Sequence, residues 1–212
     1  MKDNNQPLYR SVIHNTTYEN YGYVYTHMSM GKDTVIVPER LKNHAFYFGE
    51  SGTVDIEYKE DGIRKIVRIR QGDVIIRRAG MLCGFRAIED TVVSELVFPK
   101  TSKTSTLLVE GLLMRLENFV SYKSGDVNSA YLIDDINFKL YVDALDKGTM
   151  VETDSAPCER MFTILEGTGI VAYKYRESPI NKGETFVVPR GRAYRLTATE
   201  RMKLVVSEII ET

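Results

Sequence analysis

The sequence has no tryptophan, only two cysteines and only three histidines in 212 residues. Two thiols are too few for a disulfide framework, so Cys83 and Cys158 are predicted to be reduced and to act as small buried side chains. The histidines, His14, His27 and His44, all lie in the first half of the chain. The composition therefore argues against a disulfide-stabilised protein and against a histidine-rich metal site.

The chain also lacks an excess of either charge and any long apolar run. Lys and Arg total 28 against 29 for Asp and Glu, so no net charge attracts nucleic acid or an anionic membrane. No apolar run approaches the roughly 20 residues of a membrane-spanning helix, and residues 1–7 lack the apolar core of a signal peptide. We expect a soluble, cytoplasmic protein without nucleic-acid or membrane partners, and a homodimer is compatible with this composition.

What the sequence does contain is a repeated motif. Residues 183–191 read Gly-Glu-Thr-Phe-Val-Val-Pro-Arg-Gly, a pattern of the form Gly-x5-Pro-x-Gly. Residues 72–80 read Gly-Asp-Val-Ile-Ile-Arg-Arg-Ala-Gly, which has the same spacing with Arg78 in place of proline. Such a match favours an internal duplication.

The spacing of other matches supports the duplication. Gly52 has a counterpart 117 residues later at 169, whereas Gly72 has one 111 residues later at 183. The six-residue difference falls near the polar hairpin tip at residues 60–62, where a β-protein tolerates insertion. The run Val-Val-Ser-Glu at 92–95 is repeated at 205–208.

Short β-rich runs, separated by Gly, Asp or Asn, recur through both halves of the chain. This pattern predicts an all-β fold of two tandem antiparallel jelly-roll barrels. We place the barrels at residues 8–100 and 107–212, with a linker at about 99–106. Residues 106–119 have leucines at helical spacing interrupted by Gly111, so they are either a helix between the barrels or strands of the second barrel, with strand slightly favoured.

Both repeated motifs resemble a known family, the cupins. Residues 161–169, Met-Phe-Thr-Ile-Leu-Glu-Gly-Thr-Gly, are similar to the end of the first cupin motif, and residues 183–191 to the start of the second. The resemblance implies a two-domain protein, a bicupin. In metal-binding cupins, three histidines and a glutamate from these motifs ligate one transition ion inside the barrel.

Alignment of the motifs puts other residues at those ligand positions. In the second copy, Arg160 stands at the glutamate position, directly after Glu159, and Tyr194 stands at the second-motif histidine. In the first copy, Asn43 and Cys83 take the same two positions, with His44 beside Asn43. Depending on the spacing, the first-motif histidine positions fall on Asp154 and Ala156 or Thr153 and Ser155, and in the first copy on Val37 and Glu39 or Ile36 and Pro38.

These substitutions predict that the protein binds no transition metal and needs no cofactor. A guanidinium repels a cation, and the remaining donors do not form an imidazole and carboxylate set. The resemblance without the metal ligands therefore excludes the family's dioxygenase, decarboxylase and metal-assisted isomerase chemistries. Whether the protein is an enzyme is left open by the sequence.

The same residues suggest a binding site for a small molecule. Arg160 can pair with a carboxylate or phosphate, and Tyr194 and Phe162 can stack on a sugar ring. In the alternative interpretation, Arg160 pairs with Glu159, Asp154 or Glu166 and Tyr194 fills the barrel. The corresponding interior set of the first copy, Asn43, Tyr47 and Cys83 with Phe85, is more apolar.

Three functions are compatible with the residues at these positions. The first is metal-independent binding of a small sugar-like or anionic metabolite. The second is a metal-free sugar isomerase or epimerase in which Tyr194 is the acid and Asp154 or Glu159 the base. The third is a structural or effector-sensing bicupin without catalysis. The arginines beside the repeated turns, at 77, 78, 190 and 192, are expected to form a solvated rim.

Overall fold

A computed structural model describes residues 12–20, 23–60, 62–100 and 102–210, and the regular structure in these ranges is antiparallel β-strand with one 3-10 turn. The predicted all-β class is confirmed. Two compact units are present. Unit 1 comprises Met1–Thr101 with Val109–Met114, and unit 2 comprises Ser102–Leu108 with Arg115–Thr212.

Unit 1 consists of two antiparallel sheets. Its strands are β1 (Val12–Asn20), β2 (Tyr23–Met30), β3 (Val35–Arg40), β4 (His44–Ser51), β5 (Thr53–Glu60), β6 (Ile63–Arg70), β7 (Asp73–Arg77), β8 (Leu82–Ala87) and β9 (Thr91–Phe98), followed by the two-residue β10 (Met114–Arg115). One sheet has the order β1-β2-β9-β4-β7-β10 and the other the order β3-β8-β5-β6.

Unit 2 has the same strand order. Its strands are β11 (Val127–Asp134), β12 (Phe138–Leu145), β13 (Met150–Thr153), β14 (Glu159–Glu166), β15 (Thr168–Tyr173), β16 (Arg176–Asn181), β17 (Thr185–Val188), β18 (Tyr194–Ala198) and β19 (Met202–Ile209). The sheets run β11-β12-β19-β14-β17 and β13-β18-β15-β16. Each strand βn of unit 1, except β10, thus has the counterpart βn+10 at the same place in the sheets of unit 2. Both units have the jelly-roll arrangement expected from the sequence.

The repeated motif forms the same local structure in both units. In each case a glycine precedes a short strand, β7 in unit 1 and β17 in unit 2, and a turn follows. β7 pairs with β4, and β17 pairs with β14. The motif thus supplies the edge strand β17 of the larger sheet in unit 2, and in unit 1 it supplies β7, which lies between β4 and the two-residue β10.

Two glycines of the repeat are required by close backbone contacts. Gly52 and Gly167 have φ values of +70° and +79°, and residues that carry a Cβ rarely adopt such a backbone conformation. A Cβ on Gly52 would lie 2.2 Å from the Asp90 carbonyl oxygen, and one on Gly167 would lie 2.0 Å from that of Arg201. Both glycines follow an irregularity in the strand register, between Gly49 and Ser51 and between Ile164 and Glu166.

Residues 106–119 form neither the predicted helix nor an extended strand. They consist mainly of turns, with β10 and a 3-10 turn at Leu116–Asn118. Gly111 has a φ of +74°, a left-handed conformation that interrupts both helix and strand. Its amide donates to the carbonyl oxygen of Ile76 at 3.2 Å, so the segment Val109–Met114, here called the strap, packs within unit 1.

Each unit has its own apolar core. In unit 1 the core is centred on residues such as Tyr47, Ile56 and Ile75. In unit 2 it includes Phe162, Tyr194 and Val206. Among the residues that the structure describes, no helix has the length and apolar character needed to cross a membrane.

Candidate functional site

Unit 2 contains a cluster of hydrogen-bonded polar side chains, here called the polar cluster, formed by Arg160, Tyr194, Glu208 and Tyr141. Nη1 of Arg160 donates to the Tyr194 hydroxyl at 2.7 Å, and Nη2 lies 2.8 Å from Oε1 of Glu208. The Tyr141 hydroxyl donates to the same carboxylate oxygen at 2.8 Å. The side chains of Arg160 and Glu208 are only 18% and 10% exposed, so water screens this ion pair weakly.

Strand register explains why these residues meet. Arg160 on β14 lies opposite Glu208 on β19, and two residues further along, Phe162 lies opposite Val206. Phe162 and Val206 belong to the core of unit 2. Because side chains in a strand alternate between faces, Arg160 and Glu208 point to the same interior side as these core residues.

Aromatic rings hold Tyr194 in place. Its ring centroid lies 5.3 Å from that of Phe162, which is stacked at 6.0 Å on Phe186. Burial raises the pKa of Tyr194, although the neighbouring Arg160 acts in the opposite direction. Tyr194 therefore stays protonated at neutral pH, and the structure brings Arg160, Phe162 and Tyr194 together in one place.

Two acidic residues, one in the polar cluster and one near it, were missed by sequence reasoning. One is Glu208, although it is part of the repeated Val-Val-Ser-Glu run. The other is Asp143 on β12, which is 5% exposed and accepts a hydrogen bond from the Ser129 hydroxyl. Burial, together with the Glu208 carboxylate, raises the pKa of Asp143 to about 6, while Ser129 and Arg160 oppose the shift. The sequence feature that could have indicated Asp143 is its position as an acidic residue within the largely apolar strand β12.

The ion pair of Arg160 differs from the alternatives considered above. Its partner is Glu208 rather than Glu159, Asp154 or Glu166. Glu159 is adjacent to Arg160 in β14, and adjacent side chains in a strand point to opposite faces. Asp154 is exposed beyond the end of β13. Glu166 instead accepts a hydrogen bond from the Tyr122 hydroxyl at 3.1 Å.

An open groove of about 760 Å³ lies at one end of the smaller sheet of unit 2. Paired residues define this end, since Thr153 lies opposite Tyr194, and Tyr194 opposite Tyr173. Asp154 and Tyr194 both line the groove, together with other members of residues 152–154, 172–177 and 191–195. Tyr194, which is 3% exposed, thus belongs both to the residues that line the groove and to the polar cluster.

In unit 1 the structure brings together three of the four predicted interior residues, Tyr47, Cys83 and Phe85. The rings of Tyr47 and Phe85 are 5.0 Å apart, and both residues are buried. Cys83 is next to Tyr47, and its pKa is raised to about 12, mainly by burial. Asn43 lies just before β4 and is half-buried, so it is not part of this group.

The expectation of a solvated rim is wrong for Arg77. This residue is 0% exposed, whereas the side chain of the adjacent Arg78 is 68% exposed and pairs with Glu110. The guanidinium carbon of Arg77 lies 3.4 Å from the centroid of the Tyr58 ring. Arg77 shares its strand face with Ile75, a core residue, which explains its inward direction.

Comparison with solved structures identifies the fold. A Cupin 2 conserved barrel domain protein from Leptotrichia buccalis superimposes with a TM-score of 0.77 at 19% identity, covering 94% of this chain and 89% of that one. This chain has a cupin fold. No family model matches its sequence, and no curated protein does.

Two enzymes show the same cupin architecture. A salicylate 1,2-dioxygenase from Pseudaminobacter salicylatoxidans has a TM-score of 0.64 at 16% identity, covering 89% of this chain and 71% of that one. A Bacillus subtilis oxalate decarboxylase, described with Mn(II) centres, has a TM-score of 0.51 at 11% identity, covering 90% and 70%. At these identities the likeness concerns the fold.

The residues at the cupin ligand positions do not fit a transition metal. In unit 2 the glutamate position holds the Arg160 guanidinium, whose hydrogen bonds go to Tyr194 and whose charge is paired with Glu208. A metal at this place would meet a positive charge instead of a carboxylate. Within the described ranges, no three His, Cys, Asp or Glu side chains are arranged to hold a metal ion.

The two cysteines of the chain are free and buried, and their reactivity provides a test. Burial raises the pKa of both Cys83 and Cys158, so little reactive thiolate is present at pH 8. We expect Ellman's reagent to react with the native protein at least about tenfold more slowly than with free cysteine. The unfolded protein should release two equivalents, and fast reaction of the native protein would contradict the burial of these thiols.

Proposed function

We propose that unit 2 binds a small, sugar-like molecule in its groove without using a transition metal. The observation that carries this proposal is the position of Tyr194, which lines the groove and is hydrogen-bonded to Arg160 behind it. A concave site of about 760 Å³ is within the usual size range of small-molecule sites. Structural similarity to two cupin-fold enzymes that act on small molecules supports such a role.

The paired charge of Arg160 favours a neutral hydroxylated ligand over an anion. Glu208 already neutralises the guanidinium, and an anionic ligand at this point would compete with Glu208 and be repelled by it. Hydroxyl groups both donate and accept hydrogen bonds, so they match a site that contains donors and acceptors. Sugars provide several such hydroxyls on a ring.

The groove offers suitable contacts for a sugar. Asp154 is an exposed carboxylate that can accept hydrogen bonds from ring hydroxyls, and Arg192 can donate. Tyr173 and the fully exposed Tyr175 provide aromatic faces, of the kind on which sugar rings stack. Tyr175 and Lys174 both have positive φ values, 65° and 49°, in the tight turn between β15 and β16. In this proposal Arg160 and Phe162 are positioning residues, which hold Tyr194 at the groove wall.

Isothermal titration calorimetry with D-glucose, D-xylose, L-fucose, glucuronate and glucose 6-phosphate tests this proposal. We expect at least one neutral sugar to bind, and Asp154→Ala to weaken its affinity about tenfold because a hydrogen-bond acceptor is lost. Asp134→Ala, which removes an exposed carboxylate outside the groove, should leave the affinity unchanged. Binding of only the two anionic compounds, or an unchanged affinity in Asp154→Ala, would contradict the proposal.

A sugar isomerase or epimerase is the second candidate, and Asp143 is the observation that favours it. A buried carboxyl group with a pKa of about 6 can take up and return a proton near neutral pH. Asp143 is therefore a better base than Asp154 or Glu159, and Tyr141 or Tyr194 is available as the acid. Proton NMR in D2O would detect deuterium replacing a carbon-bound hydrogen of the bound sugar. Exchange that is lost in Asp143→Asn would support catalysis, and binding without exchange would leave a binding role alone.

A further inference from the structure

Arg77 of unit 1 is a fully buried cation without a hydrogen-bond partner. Its exposed fraction is 0%, and none of Nε, Nη1 and Nη2 makes a hydrogen bond in the described part of the chain. Burial of an unpaired charge is strongly unfavourable, and an isolated buried guanidinium does not lose its proton. The folded protein therefore needs an acceptor at this position.

The surroundings of Arg77 come from three parts of unit 1. The ring of Tyr58 on β5 covers one face of the guanidinium, and Tyr58 lies opposite Cys83 on β8. Gly111 of the strap lies on another side, because a Cβ on this glycine would be 3.4 Å from Nη1. Because Gly111 has no side chain, the strap presents only its backbone to Nη1 from position 111.

The nearby acidic side chain of Glu95 is engaged elsewhere. Its carboxylate accepts a hydrogen bond from the Tyr47 hydroxyl and contributes, after burial, to the raised pKa of Tyr47. Glu95 occupies the position in unit 1 that Glu208 occupies in unit 2, since both end the repeated Val-Val-Ser-Glu run. In unit 2 that glutamate pairs with Arg160, whereas in unit 1 Arg77 is left without an equivalent partner.

We propose that the interior of unit 1 binds a small carboxylate, whose two oxygens accept hydrogen bonds from the edge of the Arg77 guanidinium. An in-plane, two-oxygen contact suits a carboxylate, because Tyr58 covers a face of the guanidinium and leaves its edge for hydrogen bonding. Cys83, which lies opposite Tyr58, and the neighbouring Tyr47 and Phe85 are all buried, which restricts the ligand to a small one with an apolar body. This site is independent of the sugar site proposed for unit 2.

Thermal unfolding of the full chain tests the proposal with sodium acetate, sodium propionate, sodium phosphate and sodium chloride at equal ionic strength. A ligand that binds only the folded state raises the midpoint temperature, and we expect about 3–5 °C with acetate or propionate at saturating concentration. Arg77→Met should abolish this shift. Arg64→Met, which removes an exposed arginine of the same unit, should retain it.

A second measurement covers the case in which Arg77→Met does not fold. A crystal structure of the wild-type protein grown with propionate should show the carboxylate against Nε and Nη of Arg77. The proposal would be overturned by water alone at this position, by the absence of a shift with both carboxylates, or by an undiminished shift in Arg77→Met. An equal shift with chloride, or a shift with phosphate alone, would overturn the assignment to a carboxylate.

Discussion

We expect Glu208→Ala to lower the free energy of unfolding by about 3–5 kcal/mol, because it leaves a buried cation without its counter-ion. The substitution removes the acceptor of both Arg160 and Tyr141. The side chain of Arg160 is 18% exposed, so water can replace the lost carboxylate only in part. Urea-induced unfolding, followed by circular dichroism, would measure the change.

Two further variants make this experiment specific. The double variant Arg160→Met, Glu208→Met should regain most of the lost stability, because apolar side chains can replace a buried ion pair. Glu177→Ala breaks an exposed pair with Arg195 and should change the free energy of unfolding by less than about 0.5 kcal/mol. A loss below about 1 kcal/mol in Glu208→Ala would show that the pair is better solvated than its burial indicates.

Asp143→Asn is expected to stabilise the protein at pH 7.5 by about 2–3 kcal/mol, a value that follows from a pKa shift of about two pH units. The pKa of Asp143 is raised in the folded state, so its contribution to stability is fully present below the unfolded pKa of about 4. That contribution is lost as the pH rises through about 6, because the folded protein must then hold a buried carboxylate. Asparagine keeps the acceptor for Ser129 but carries no charge.

The pH dependence distinguishes this effect from a general change in packing. The difference between Asp143→Asn and the wild type should be small at pH 4 and should grow between pH 4 and pH 7, as measured by urea unfolding. Asp134→Asn, at the exposed end of β11, should change stability by less than about 0.5 kcal/mol at either pH. A constant difference from pH 4 to pH 7.5 would contradict the assigned pKa of Asp143.

The sequence was sufficient to predict the all-β class, several of the strands and the turns of the repeated motif. The run at 54–58 alternates apolar and polar residues and lies in β5, and the Gly-x5-Pro-x-Gly motif forms β17 with its following turn. These features are local, because alternation and turn residues act over a few positions. The internal duplication stays a prediction from the sequence, and so do the domain boundaries at 8–100 and 107–212. The identical strand order of the two units is compatible with a duplication.

The partners of the site residues were harder to predict because they come from distant strands. Arg160 meets Glu208 only after β19 has paired with β14, and Tyr141 reaches the same carboxylate from β12. The expectation of a solvated rim for Arg77 rests on its position, with Arg78, beside the repeated turn. The run Val74 to Ile76 contains no polar residue that would show which of the two arginines points inward.

The strap has a consequence for how the protein is made. Residues 102–108 belong to unit 2 and precede the strap in the chain, so a ribosome begins unit 2 before it has completed unit 1. A gene fragment that stops at residue 101 or 108 lacks the Gly111 amide that bonds to Ile76 and the Glu110 carboxylate that pairs with Arg78. In such a fragment Arg77 loses its neighbour at Nη1. A complete first barrel therefore requires translation through Met114.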